Sequence, residues 1–426
     1  MLHDIPMKIR NGSAVISILG LGRVGLPLAV VMARSGLKVI GVDMDASRVS
    51  MINRGEMPFY YPALQQWLSE TVGAGMLVVS TSSEVSIQQS DVVVVTVGTP
   101  TGEQHELDYT QIHSAFRRIA SAGIRDKAIL VRSTSVPGTL TNIVLPLLLR
   151  ESGLRLGEFA LAACPERILE GQAHTELYVL PEIIGGIDEL SVVIASELFR
   201  KISPEKRILV TSPSGAELAK LFTNIYRYVN FALSNEFAIW AERYGEDAHE
   251  IIRIANERYP RTNIPKPGFA GGPCLGKDGI LLDNSTTFSS IISTAWKLNE
   301  AVPQHVVMSL MKEFGSLYGK KVSVLGLAFK SNSDDARLSP SAKVVEILKA
   351  YGAEVIVHDP YIKQTQSLDD ALRSPEIVIL ATNHSVFNEL APRIDASGSK
   401  IFYDVWGTFT PTDFKNVQYR RFGTAG

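Results

Sequence analysis

Ala14-Val-Ile-Ser-Ile-Leu-Gly-Leu-Gly-Arg-Val-Gly25 is the stretch on which the fold turns. An apolar run ends at Gly20, and Gly20, Gly22 and Gly25 then form Gly-x-Gly-x-x-Gly ahead of a helical stretch, Leu26–Ser35. Glycines at this spacing permit a tight turn, close approach of the backbone to a pyrophosphate, and close packing of helix on strand. The helix N-terminus then faces the phosphates. A second apolar run, Lys38–Asp43, ends in a carboxylate 18 residues after Gly25. A carboxylate there can accept hydrogen bonds from an adenosine ribose and repel a 2′-phosphate. NAD is therefore expected rather than NADP, with Arg48 the nearby cation that argues the other way. Gly20, Gly22, Arg23, Val24, Gly25 and Asp43 are the cofactor candidates of this turn.

Outward from this unit, short β-branched runs alternate with helix-length segments: Met76–Thr81, Asp91–Val97, Ala128–Ser133 and Phe159–Cys164. Runs without polar alternation suit parallel strands buried on both faces, and their spacing gives βαβ units. Glu182–Gly185 and Arg207–Thr211 are expected to close this domain. From Ser214 to about Tyr244 the pattern changes to one helix, with Leu221, Phe222, Ile225, Tyr228, Val229, Ala232, Leu233 and Phe237 on one apolar face. Ser214 and Glu217 read as its capping box. Two shorter helices are the alternative. A third section begins near Val302, with strands expected at Lys321–Phe329, Glu354–Asp359, Glu376–Thr382 and Lys400–Trp406; the tail after Phe409 carries no clear signal. The expected fold class is α/β, two Rossmann-like doubly wound domains joined by a long central helix. Residues 1–212 would bind NAD, 213–301 would form a helical, dimerising domain with a cysteine loop, and 302–426 would form a second, smaller α/β domain.

At 426 residues the chain needs more than one domain. Its formal charge of −2 shows no basic excess, which argues against nucleic acid or an anionic membrane as partner. No apolar run approaches the ~18 residues of a membrane span, and Met1 to Gly12 lacks an apolar signal core, so a cytoplasmic enzyme is expected. Two cysteines, Cys164 and Cys274, make a disulfide framework unexpected, and no Cys/His spacing resembles a metal site.

Those cysteines differ in setting. Cys164 ends an apolar strand and reads as a buried small hydrophobe. Cys274 lies in Pro267-Gly-Phe-Ala-Gly-Gly-Pro-Cys-Leu-Gly-Lys-Asp278, where glycines expose the backbone and Lys277 can favour a thiolate. Thr96-Val-Gly-Thr-Pro100, Ser133-Thr-Ser-Val-Pro-Gly138 and Cys164-Pro-Glu-Arg167 each follow a strand and should meet at the carboxyl edge of the sheet, where ligands bind. On the long helix Lys220 and Asn224 are four residues apart and share a face.

Together these motifs resemble the family of UDP-glucose, UDP-N-acetylhexosamine and GDP-mannose 6-dehydrogenases, from Ile16 to about Trp406. The most specific parts are Gly268-Phe-Ala-Gly-Gly-Pro-Cys-Leu-Gly-Lys-Asp278 and Gly326-Leu-Ala-Phe-Lys-Ser-Asn-Ser-Asp-Asp335. The resemblance implies oxidation of a sugar C6 alcohol to a carboxylate with two NAD⁺, through a thiohemiacetal and a thioester on Cys274. It implies that Lys220 and Asn224 stabilise an oxyanion, that Asp278 activates water with Lys220, and that Thr134 and Glu166 lie beside the reacting carbon. Thr99, Thr134 and Lys277 would touch the cofactor. Residues 302–426 would bind the UDP-sugar's nucleotide; Glu166, Arg167, Lys220, Asn224, Gly271, Phe329, Lys330 and Arg337 would meet the nucleotide sugar, with Arg261 reaching it across a homodimer formed by the central helix.

Gly276, Pro273 and Leu338 depart from the usual family pattern without removing a chemical group. Cys164-Pro-Glu-Arg-Ile-Leu-Glu-Gly171 is similar to the N-acetylmannosamine branch, whereas Lys277-Asp278 is similar to the UDP-glucose branch. A UDP-N-acetylhexosamine is favoured, with UDP-glucose the alternative. A single-step hydroxy-acid dehydrogenase and a catalytically silent NAD-binding protein are the other readings; the first would release one NADH per substrate and the second none.

Overall fold

A computed structural model describes residues 1–98, 110–273, 275–283 and 290–424. It divides into two compact units, Met1–Phe222 and Thr223–Gly426.

The first unit is built on an eight-stranded sheet. Its strands are β1 (Val15–Leu19), β2 (Lys38–Val42), β3 (Leu77–Ser80), β4 (Val92–Val95), β5 (Ala128–Val131), β6 (Ala160–Ala163), β7 (Glu182–Gly186) and β8 (Ile208–Val210), in the order β3-β2-β1-β4-β5-β6-β7-β8. The strand order turns from one side of β1 to the other at β4, which is the doubly wound pattern, and the crevice for a dinucleotide lies outside the strand ends there. Burial on both faces is visible in β4: Val92 and Val94 join one apolar cluster, Val93 and Val95 the other. All pairs are parallel except β6 with β7, where Ala162 faces Gly186 antiparallel.

The second unit holds a parallel five-stranded sheet of β9 (Lys321–Leu325), β10 (Glu354–His358), β11 (Ile377–Leu380), β12 (Ile401–Asp404) and β13 (Gln418–Arg421), ordered β10-β9-β11-β12-β13. Alternate residues of β11 again serve opposite clusters. Strand β13 lies in the tail that carries no clear signal in sequence. Its Gln-Tyr-Arg-Arg composition is polar because it is an edge strand, and such strands lack the apolar run that marks the interior ones. The expected start of the third section, Val302, lies inside a helix, Ser290–Phe314, that carries Pro303 within it.

Pro213–Tyr244 is one helix of 32 residues, about 48 Å at the usual rise, so the two-helix alternative does not apply. Its start differs from the expected capping box. Ser212, not Ser214, closes the end, its Oγ accepting from Gly215 N at 3.0 Å. Glu217 turns away from the cap and accepts from Ser135 Oγ (3.0 Å), Gly138 N (2.7 Å) and Leu140 N (2.9 Å). The carboxylate thereby secures the loop after β5. Nor is the helix's apolar face single. Leu221, Asn224, Tyr228 and Ala232 are buried, whereas Phe222, Tyr226, Leu233, Trp240 and Tyr244 are exposed on another side.

Among the described residues no helix is long and apolar enough to cross a membrane. Because Glu217 satisfies two buried backbone amides, Glu217→Ala is expected to lower unfolding free energy by about 3 kcal/mol, measured as a shift in the urea midpoint.

Candidate active site

The glycine turn after β1 is locked from the neighbouring strand. Thr96, following β4, donates its hydroxyl to Gly20 O at 2.7 Å and Leu19 O at 3.0 Å. At Gly25, the first residue of the helix Gly25–Arg34, a Cβ would lie 1.8 Å from Gly20 O and 2.5 Å from Thr96 Oγ1, so only glycine fits. At Gly22 a Cβ would meet nothing within 4 Å, which leaves the backbone open to a pyrophosphate. Val24 caps that helix and is exposed; Arg23 pairs with Glu170 at 2.7 Å and lies over the Phe59 ring. Asp43 follows β2, its carboxylate accepting from Leu21 N (2.9 Å), Asp45 N (3.0 Å) and Arg48 (2.9 Å). Burial works against the charge, but these amides and the guanidinium outweigh it and hold the carboxyl below its usual range. The anion that would reject a 2′-phosphate is secured, and Arg48 is engaged with it. These features fit NAD, which supplies a hydride acceptor when bound.

Along the same edge, the loops after β5 and β6 carry Thr134 and Glu166. Both are partly buried. Glu166 accepts from Ile168 N, and its own N–H donates to Arg132 O at 3.3 Å. Burial raises the Glu166 carboxyl to about 7, against the lowering effect of Lys220 and Arg132 and reinforced by Glu182 and Glu176. A carboxyl titrating near neutrality is suited to general acid–base work. Lys220, on the long helix, is buried. Arg167 instead donates to Pro181 O at 2.5 Å, a structural use that the sequence reading, with Arg167 toward the substrate, does not anticipate. Cys164 is wholly buried, and burial pushes its thiol upward, matching its reading as a core residue. Thr99 lies outside the described residues, as does Cys274.

In the second unit the chain on either side of Cys274 is described and tightly held. Before it, Gly268 N donates to Asn235 Oδ1 at 2.8 Å, and a Cβ at Gly268 would strike Trp406. Gly271 packs on Pro340, and Gly272, at φ +91°, lies against the Phe329 ring while its N–H donates to Leu338 O at 3.0 Å. After it, the sequence-expected loop gives way at once to a helix, Leu275–Asp283, with Asp278 in its first turn. Asp278 is buried and accepts from Asn224 Nδ2 at 2.6 Å. Lys277 is partly buried on the same helix. Asn235, absent from the sequence candidates, could have been found by its spacing: eleven residues beyond Asn224 is close to three turns, hence one face.

The second sheet's first strand leads into Gly326–Phe329. Asp359, after β10, accepts from Leu327 N (2.7 Å), Ala328 N (3.0 Å) and His384 Nε2 (3.0 Å). His384 Nδ1 meanwhile accepts from Asn332 N at 2.9 Å, so the ring is held between that amide and the Asp359 carboxylate. The acid that reads ribose in a dinucleotide site is here fully buried and consumed, in accord with a different nucleotide. Lys330 is partly buried; Arg337 is exposed yet held by Asp335 at 2.6 Å. Arg261 is exposed and stacked on Tyr259.

Comparison with known proteins decides what this arrangement belongs to. Residues 14–203, 214–302 and 323–411 match the NAD binding, central and UDP binding domains of the UDP-glucose/GDP-mannose dehydrogenase family. The chain belongs to that family. It is an NAD-dependent nucleotide-sugar dehydrogenase. The UDP-N-acetyl-D-mannosamine dehydrogenase of Pyrococcus horikoshii is 36% identical over 88% of this chain and 90% of its own. That of Campylobacter jejuni is 32% identical over 88% and 96%. The solved UDP-D-ManNAc dehydrogenase of Pyrococcus horikoshii has a TM-score of 0.89 at 33% identity, covering 96% of this chain and 99% of that one. A UDP-glucose dehydrogenase from Pyrobaculum islandicum reaches 0.86 at 28% identity, covering 97% and 98%.

Two outcomes follow for the dehydrogenase. Gly22→Ala should leave the melting temperature unchanged and weaken NAD binding at least tenfold by calorimetry, whereas Gly25→Ala should lower both. The Glu166 carboxyl is raised in the folded state, so its contribution to stability is present below the usual glutamate range and lost as pH rises through about 7. Melting curves should therefore show Glu166→Gln gaining on the wild type between pH 5 and roughly 7.5 and holding a constant lead above it.

Proposed function

We propose that this dehydrogenase oxidises C6 of UDP-N-acetyl-D-mannosamine to the carboxylate in two NAD⁺-dependent steps, through a thioester on Cys274. The observation that carries the reading is the Asn224–Asp278 hydrogen bond of 2.6 Å, a donor and a carboxylate buried together four residues along the chain from Cys274. Identity to mannosamine dehydrogenases from several organisms supports the sugar.

In this reading Glu166 takes the C6 hydroxyl proton as hydride leaves, with Thr134 beside the reacting carbon. The Cys274 thiolate adds to the aldehyde, which keeps the reactive carbonyl covalently held while the cofactor is exchanged. Lys220 and Asn224 donate toward the oxyanion, and a second hydride loss leaves the thioester. Asp278, with Lys220, orients the water that releases the uronate and restores the thiol. Lys277 and Thr99 complete the cofactor site. Gly271, Phe329, Lys330 and Arg337 receive the nucleotide sugar, with Arg337 freed from Asp335 on binding. Division of labour among residues 1–212, 213–301 and 302–426 follows these roles.

The exposed stripe Phe222, Tyr226, Leu233, Trp240 and Tyr244 supports pairing of two chains along the long helix, with Tyr226, Leu233 and Trp240 seven residues apart as in a helix seam. Arg261 would then reach the partner's substrate. A cytoplasmic role supplying acidic sugars for surface polysaccharide accompanies the reading. UDP-glucose is the second candidate, favoured by the Lys277-Asp278 pair and the likeness to the Pyrobaculum enzyme.

A panel of UDP-N-acetylmannosamine, UDP-N-acetylglucosamine, UDP-glucose and GDP-mannose, followed by NADH formation, tests the assignment. The mannosamine is expected to give the highest kcat/KM and two NADH per uronate; a single NADH with an aldehyde product rejects the mechanism. Cys274→Ser is expected to lose at least a thousandfold in uronate formation.

A further inference from the structure

One buried ion pair has no part in these roles. Arg132 follows β5 and Glu182 opens β7; their side chains are 2% and 6% exposed, and Arg132 Nη1 donates to Glu182 Oε1 at 2.7 Å. The guanidinium also lies over the Phe199 ring, 4.9 Å from its centroid. Apolar residues of similar size would hold such a place at least as well, so stability alone does not explain the charges. Placement does. The backbone carbonyl of Arg132 accepts the Glu166 N–H at 3.3 Å, which ties the turn that carries the carboxyl to the residue that carries the guanidinium.

Charged groups face Glu166 from several elements: Lys220 on the long helix, Arg132 after β5, Glu182 on β7 and Glu176 on the helix Ala173–Val179. Arg132, Glu182 and Glu176 share a recess with Arg167 and Lys206, which are turned to the carbonyls of Pro181 and Leu177. Cys164, buried beside the pair, stays a neutral thiol. The recess measures about 10 Å³, too small for a ligand, so the charges that line it are not a binding site.

We propose that the Arg132–Glu182 pair is a positioning device for Glu166, fixing the turn that carries it and balancing, through two opposed charges, where its carboxyl gains and loses a proton. The proposal rests on Glu166 being the acid–base group of the reaction. Arg132 favours the carboxylate and Glu182 opposes it, with Arg132 the stronger of the two.

The test is the pH profile of kcat/KM for NADH formation in the full-length wild type, Glu182→Gln, and the double variant Arg132→Met with Glu182→Gln. Glu182→Gln leaves Arg132 unopposed and should move the acidic limb to lower pH by roughly half a unit or more. The double variant, an uncharged pair of similar volume expected to fold, should move it to higher pH. Should Glu182→Gln alone fail to fold, the upward shift of the double variant still decides. A purely structural pair would alter kcat or KM without opposite displacements, and unmoved or same-direction limbs overturn the proposal. Glu166 is also read without activity, from the difference in pH–stability curves with and without Glu166→Gln in each background. Opposite displacements there with a stationary kinetic limb support the pair's role and reject Glu166 as the acid–base group. No displacement in either reading rejects the pair's role.

Discussion

Two buried asparagines three turns apart on the long helix hold the segment that contains Cys274. Asn235 receives Gly268 N on its carbonyl and donates to Asn299 Oδ1 at 3.0 Å, so its amide is used on both sides. Asn224 donates to Asp278 beyond the cysteine. A helix is the stiffest local framework a chain can form, and bonds to one face of it fix both ends of the loop to the same ruler. Between those ends the glycines lie so close to Trp406, Pro340 and Phe329 that a single Cβ would displace the loop. A buried polar network of this kind is costly when broken and specific when complete.

Charge in the first unit is arranged by the same contest of burial against donors, with opposite results at two carboxyls. Asp43 has two backbone amides and an arginine, and stays an anion in spite of burial. Glu166 has one amide and charges of both signs, and burial prevails. One carboxylate is thereby suited to selecting a neutral ribose, the other to moving a proton near neutral pH.

Much of this was legible in the residues. The four valines of β4 announce a strand buried on both faces, and Gly20, Gly22 and Gly25 announce a turn whose third glycine has no room for a side chain. Features that escaped depend on partners distant in sequence. Glu217 reads as a cap because its neighbours suit one, yet its carboxylate serves donors about eighty residues earlier. The long helix reads as one apolar stripe because periodicity does not separate Ala232, buried, from Leu233, exposed. Arg132 and Glu182 lie fifty residues apart and resemble surface charges until the sheet brings them together. Strand β13 lacks an apolar signal because it needs none at the edge.

The proposed reaction stands or falls on a thioester at Cys274 whose hydrolysis Asp278 drives. Acid quenching of Asp278→Asn during turnover with NAD⁺ and UDP-N-acetylmannosamine, followed by peptide mass spectrometry, tests it most directly. A uronyl adduct is expected on the peptide containing Cys274, released by hydroxylamine. Steady uronate formation with no adduct on that peptide, and undiminished in Cys274→Ser, would contradict it.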